Sequence, residues 1–414
     1  MISLFVRNLN LYKIYKFLLL AIAILIPFIE YFKTKFASIA LILLFICWIA
    51  SLDFENKFER LLANKIIFLF LLLYLINLYG LLLPIDNHVS EKVLIKKASL
   101  LIFPLIIGTG PVLDYKFVKR ILFFFVVSLV LGTFITLSGG VEKLILSPAG
   151  LEDLAGKITI HRPYFGLFCA FSIIGLLHFI DRNHTIFGLT LYTIVSIYLL
   201  FFILFIYAKM ALLALFITAI VLLFIWFLKT KKYIYFTILS FASIVSIAAL
   251  YQFVPAVKNF INNIKAGKDF SYADHNILIV GSINVRYINW GCAVDILKEN
   301  NNWITGVGAG NAQSKLQDCY KYLNPWIYEN KMNAHNQFLE ETLYNGILGL
   351  CIFLACILIP AFIAYKQNNF LYLGFILIFA TCSLAESVLN RSVGIIFYAF
   401  FNSILFFNPK KSLA

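Results

Sequence analysis

From residue 186 to residue 228 the chain is apolar apart from Lys209 and a few small polar side chains. A run of this kind can be solvated only by lipid, and in lipid every backbone N–H and C=O must be satisfied within the protein, so only helices or closed barrels can cross. A barrel strand would alternate polar and apolar residues at every second position, and this run does not. The same bias extends through the 414 residues, of which 62% are hydrophobic and 13% charged. The polar surface is too small to coat a soluble globule of that size. The sequence therefore specifies an all-α, polytopic transmembrane helical bundle.

At roughly 17–25 apolar residues per span, about twelve helices are expected, over 12–30, 35–51, 65–83, 93–110, 117–138, 159–180, 185–206, 208–228, 233–254, 336–364, 369–387 and 390–407. This gives three parts: spans one to nine in residues 1–254, a large polar loop over 255–334, and spans ten to twelve in 335–414. The first apolar run is basic at its start but no small-residue cleavage site follows Pro27, so it reads as a retained helix. The net charge of +14 excludes a nucleic-acid surface as its explanation, because the cations lie in short clusters at the ends of apolar runs and not in one patch. Arg7, Lys13 and Lys16, then Lys57, Arg60 and Lys65, then Lys116, Lys119 and Arg120, then Lys229, Lys231 and Lys232, and finally Lys410 and Lys411 fall on one face. By the positive-inside rule that face, with both termini, is cytoplasmic. The turns near Lys33, at 84–97 and at 139–157, together with the large loop, then face outward, toward the periplasm of a two-membrane cell.

A polar segment as long as 255–334 inside a compact protein is more often a lid or binding element than a linker. Within it, Arg286 and Trp290 are four apart on a predicted helix that also carries Asn284, and so share a face. A guanidinium there suits phosphate oxygens, or simply snorkels against the tryptophan. Gly306-Val307-Gly308-Ala309-Gly310 permits close backbone approach to a ligand or to another helix; without a preceding strand or a following acid it is weak as a nucleotide motif and reads as a tight turn. His335 lies where the loop re-enters the membrane, before Asn336 and Glu340. A histidine there is either a proton acceptor for a hydroxyl or a structural hydrogen-bonding residue. Glu340 either orients a neighbouring donor or is solvated near its helix N-terminus. Lys209 sits at a tight outer turn, where it serves either the site or its own solvation, and Arg162 opens another span on the same side. Seven cysteines show no metal-ligand spacing, and Cys47, Cys169, Cys351, Cys356 and Cys382 fall inside spans. Cys292 and Cys319 share the large loop and could pair if it is extracytoplasmic. There is no HExxH, no Walker A motif and no DxD in the early outer turns, so neither a metal nor a cofactor is expected.

Taken in order, Lys209, Asn284-x-Arg286-x-x-x-Trp290, the glycines at 306–310, and His335-Asn336 followed by Gly346-x-x-Gly349-Leu350 resemble the O-antigen ligase and polymerase superfamily, over the stretch from about Lys209 to Leu350. The resemblance implies a GT-C type membrane glycosyltransferase of the bacterial inner membrane, acting in lipopolysaccharide biosynthesis with its site facing the periplasm. Its donor would be an undecaprenyl-diphosphate-linked glycan and its acceptor a lipid A core oligosaccharide, joined with inversion and without a metal. His335 matches the family histidine proposed to activate the acceptor hydroxyl, and Arg286 a loop arginine that engages the donor diphosphate. Lys209 stands where many relatives carry arginine, which keeps the charge but loses the bidentate fork. The same motifs fit a polymerase or a protein O-oligosaccharyltransferase. A transporter of lipid-linked oligosaccharides is the alternative from another class; against it stand the long outer loop, the lack of two matching six-helix halves and the scarcity of ionisable residues in the helices.

Overall fold

The structure, a computed structural model, describes residues 2–29, 34–81, 87–138, 161–179, 185–231 and 282–408, with 234, 237 and 252 singly. The expected outer turns at Lys33 and 139–157, the expected span 233–254, and the first part of the large loop lie outside the described residues.

All regular structure among the described residues is helical. The elements are α1 (Ile2–Leu25), α2 (Lys35–Ala50), α3 (Phe54–Ala63), α4 (Lys65–Leu75, continued by a 3-10 turn over Ile76–Leu81), α5 (Asn87–Lys97), α6 (Ser99–Thr109), α7 (Tyr115–Ser138), α8 (Arg162–Phe179), α9 (Ile186–Phe205), α10 (Lys209–Thr230), α11 (Ser282–Lys298), α12 (Ala309–Leu323), α13 (Gln337–Lys366), α14 (Phe370–Ser383) and α15 (Ser392–Phe407). Six of the described stretches are long and apolar enough to cross a membrane, and a seventh is if α2 and α3, which meet at 109°, count as one broken span. The expected number was about twelve. Of the other expected spans, 65–79, 370–383 and 392–407 are apolar but short, 93–110 is divided between α5 and α6, and 233–254 lies outside the described residues. At 1.5 Å per residue a 14-residue helix covers only about 21 Å of a hydrocarbon core of roughly 30 Å.

Without a hydrophobic drive between helices in lipid, close packing must hold the bundle together. A Cβ on Gly166 would lie 2.6 Å from that of Ala208 and 2.8 Å from that of Ala211, so α8 rests directly on the start of α10. Aromatic rings fill the centre, where Phe125 of α7 meets Phe168 of α8 and Phe397 and Phe401 of α15.

The two ends of the bundle differ. At one, Lys16 faces Asp114 at 3.6 Å, Arg60 donates to the carbonyls of Thr109 and Gly110 at 3.1 Å each, and Lys229 donates to the Tyr365 carbonyl at 3.0 Å. Arg60 and Lys229 cap helix C-termini, where their charge opposes the partial negative charge of exposed carbonyls, and Lys16 pairs with the aspartate that precedes α7. At the other end, the described part of the large loop folds into a helical cap with its own core of Ile288, Ala293, Leu297, Val307, Leu316 and Tyr320, seated on Leu343 and Tyr344 of α13 and Val93 of α5. A disulfide between Cys292 and Cys319, with Cα atoms 6.0 Å apart, ties α11 to α12.

Candidate active site

Under the cap, α13 begins at Asn336, whose Oδ1 accepts from the N–H groups of Phe338 and Leu339 at 2.9 and 3.2 Å. Asn336 is therefore the N-cap, which leaves the side chain of His335 available for other work. His335 adopts φ +47°, a left-handed conformation that turns the chain sharply before the helix. Its Nδ1 lies 3.3 Å from Oε2 of Glu386, and its Nε2 lies 3.3 Å from the sulfur of Met332.

Glu386 belongs to a loop between α14 and α15 that the sequence reading had placed within a span. The loop is polar because it crosses the head of α13. Ser387 donates to Glu340 and accepts from the Asn336 N–H, the Leu389 N–H donates to Gln337, and Asn390 donates to Glu340. Burial pushes the Glu386 carboxyl up, but His335, His161 and Arg286 together draw it below the ordinary carboxylate range. For His161, burial outweighs the attraction of Glu386, and with Arg391, His335 and Arg162 also opposing a positive ring, its pKa falls to about 4. The electrostatic neighbours thus place His335, His161 and Arg286 around one buried carboxylate, with Arg391 and Arg162 acting on His161.

Arg286 and Trp290 do share a face of α11, and both point into this cluster. Arg286 Nε donates to the Ala385 carbonyl at 2.9 Å, and Trp290 Nε1 donates to the His335 carbonyl at 3.3 Å. Burial lowers the Arg286 pKa and Glu386 partly restores it, so this guanidinium is held in a half-dry environment against a carboxylate. Asn284 is partly buried at the start of α11. Lys209 is exposed at the first residue of α10, on the same end of the bundle, where the Met210 carbonyl meets Cys382 at 4.0 Å.

The glycines at 306–310 meet the backbone of a helix. Inside α13, Gly346 takes φ +62° and ψ −158°, which breaks the helical hydrogen-bond ladder. The carbonyls of Leu343 and Tyr344 accept instead from Val307 N–H at 2.7 Å and Gly308 N–H at 3.2 Å. A Cβ on Gly306 would lie 2.6 Å from the Gly346 nitrogen, so backbone meets backbone. Gly308 takes φ +79°, and Gly310 is buried in the first turn of α12. The motif holds a broken membrane helix in register with the cap.

Glu340 is buried, not solvated: it is 2% exposed and accepts from Tyr344 Oη at 2.7 Å, Asn390 Nδ2 at 2.9 Å, Ser387 Oγ at 3.1 Å and the Ala334 N–H at 3.2 Å. It joins the turn bearing His335 to the loop bearing Glu386. Beside it, Glu341 meets Lys97 at 2.9 Å, with Gln337 also donating to Glu341 and Asn77 accepting from Lys97. Sequence reasoning missed Glu386, Arg391 and the Lys97–Glu341 pair. Lone acids and bases at the edges of apolar runs were the only signal, and nothing local pairs residues 97 and 341. Among the described residues no group of three or more His, Cys, Asp or Glu side chains is disposed to hold a metal ion.

A bundle of apolar helices, capped at one end over a cluster of cations, a histidine and a carboxylate, defines a multi-pass membrane protein. Residues 194–354 match the family model described as O-antigen ligase, and this match supports the O-antigen ligase and polymerase superfamily. The matched stretch contains Lys209, Arg286 and His335 and stops short of Glu386 and Arg391. No curated protein matches the chain.

Proposed function

We propose that the protein is an O-antigen ligase that transfers a glycan from undecaprenyl diphosphate to a sugar hydroxyl of the lipid A core, at the periplasmic face of the inner membrane. The observation that carries the reading is His335, inside the family-matched stretch, held 3.3 Å from Glu386 within a cluster of cations. With the Nδ1 proton directed at Glu386, Nε2 carries the lone pair. It takes the proton from the acceptor hydroxyl as that oxygen bonds to the anomeric carbon. The bond from that carbon to the diphosphate oxygen breaks, and its electron pair leaves with the diphosphate. Arg286, with Arg162 and Lys209, stabilises the developing charge. A single displacement inverts the anomeric configuration. Met332 occupies the approach to Nε2, and its flexible thioether must swing aside to admit the acceptor.

The test is transfer by the purified protein from undecaprenyl-diphosphate glycan to lipid A core, with EDTA present, resolved by acceptor size. Glycan on the lipid A core is expected, with loss of at least about 100-fold in His335→Ala and weakened donor use in Arg286→Ala. Elongation of carrier-linked chains alone would make the protein the polymerase of the same superfamily, and transfer to a protein would make it an O-oligosaccharyltransferase. A His335→Ala protein that inserts normally and transfers at the wild-type rate would overturn the base.

A further inference from the structure

The turn that carries His335 is costly to form. Lys331 and His335 take φ +48° and +47°, and neither is a glycine. Residues with a Cβ stay in the left-handed region only where their surroundings hold them. What holds this turn comes from the cap. Gln313 Nε2 donates to the Met332 carbonyl at 3.0 Å and to the Lys331 carbonyl at 3.3 Å, and Gln317 Nε2 donates to the Met332 carbonyl at 3.4 Å. Tyr320 Oη donates to the Asn333 carbonyl at 3.3 Å. All three side chains belong to α12 and, three or four residues apart, project from one face of it. From α11, Trp290 Nε1 donates to the His335 carbonyl at 3.3 Å. Every carbonyl from Lys331 to His335 except that of Ala334 is thus gripped by a side chain of one of two cap helices.

Two helices grip one turn firmly only if they keep their places relative to each other. The Cys292–Cys319 bridge joins them beside the grip itself, since Cys292 follows Trp290 by two residues and Cys319 lies between Gln317 and Tyr320. The turn in their hold sets both sides of the imidazole: it directs Nδ1 at Glu386 and stands the Met332 sulfur at Nε2. We propose that Gln313 and Gln317, locked to α11 by the Cys292–Cys319 bridge, are positioning residues that hold His335 and Met332 in the geometry from which the acceptor hydroxyl is deprotonated. The assignment rests on the transferase reading above for what His335 does, but the hold is a property of the turn.

The experiment uses the full-length protein in lipid nanodiscs. In one variant, Gln313→Met and Gln317→Met keep the length of both side chains and remove their donors. In a second, Gln313→Lys with Gln317→Met returns N–H donors to the same place. In a third, Cys292→Ala and Cys319→Ala open the bridge, and a fourth combines the first and third. Melting temperatures establish that each is folded at the assay temperature; the glutamine variants keep the bridge and decide the hold even where the bridge-free protein does not fold. Measured are kcat, the KM for donor, and the rate at which diethyl pyrocarbonate modifies His335, read by mass spectrometry of its peptide. The first and third variants are expected to lose about tenfold or more in kcat with donor KM within about threefold, as for a misplaced base, and to expose His335 to modification several-fold faster. The lysine variant recovers most of both. The combined variant loses little more than either parent, because both changes release the same turn. Equal losses with methionine and with lysine, additive losses in the combined variant, or wild-type modification of His335 throughout would overturn the positioning role. If the wild type transfers nothing, the function above fails, and modification alone decides the hold. Faster modification in the first and third variants, reversed by lysine, sustains it, and equal rates overturn it.

Discussion

A buried carboxylate needs donors, and Glu340, Glu341 and Glu386 obtain them in three ways. Glu340 takes four neutral donors, Glu341 takes a lysine ammonium and two amides, and Glu386 takes a histidine within a field of cations. The first two fix the frame, and the third holds His335. His161 gives this arrangement a pH signature. Its pKa in the folded protein, about 4, lies below the value of roughly 6.5 expected in the unfolded chain. The fold therefore favours the neutral ring. The stability tied to His161 is complete above pH 6.5 and is lost as the pH falls from there toward 4, amounting to about 3 kcal/mol at most. Thermal melts between pH 7.5 and 4.5 should show a steeper loss in the wild type than in His161→Gln, whose side chain does not titrate. Parallel curves would mean that another group sets the acid sensitivity. Glu386 acts in a lower window: its contribution is complete above the ordinary carboxylate value and is lost as the pH falls from there toward its depressed one.

At the level of elements, the decisive feature is a membrane helix broken on purpose. Gly346 sits at φ +62°, and a Cβ there would lie 2.1 Å from the Ile304 carbonyl oxygen, so alanine is excluded by both backbone and neighbour. Gly346→Ala and Gly306→Ala should each cost about 3 kcal/mol or more and loosen the cap. Gly175 is the control: a Cβ there meets nothing within 4 Å, and Gly175→Ala should be neutral or gain up to about 1 kcal/mol in helix propensity. Melting temperatures of the three variants in detergent check this, and equal melting of all three would refute the account of the break. The glycine pattern was visible in the sequence, as was the helix bearing Arg286 and Trp290. That the motif's partner is the interior of the next membrane helix was not visible, because the contact depends on two φ values above zero meeting across some forty residues of chain.

For the molecule as a whole, the division of charge between the two ends of the bundle gives it a direction. Arg60, Lys16 and Lys229 lie at the end opposite the cap, as the positive-inside rule requires if that end is cytoplasmic. Lys209 and Lys231 flank α10 at its two ends and are both exposed. With the exposed Cys351 replaced by serine, a membrane-impermeant maleimide applied to cells with a permeabilised outer membrane should label Lys209→Cys and spare Lys231→Cys. The reverse pattern would invert the topology. The Cys292–Cys319 bridge agrees with an oxidising compartment on the capped side.

The sequence by itself determined the solvent, the helical class, the clustering of basic turns on one face and the linear order of Lys209, Arg286, the glycines and His335. These follow from hydropathy and local spacing, which act over a few turns of chain. Only the tertiary structure decided that Glu386 meets His335 across 51 residues, and that Lys97 meets Glu341 across 244. A charge at the edge of an apolar run looks the same whether it snorkels to water or turns inward. Which of the two it does depends on whether another helix brings a partner close enough to offset the cost of leaving water.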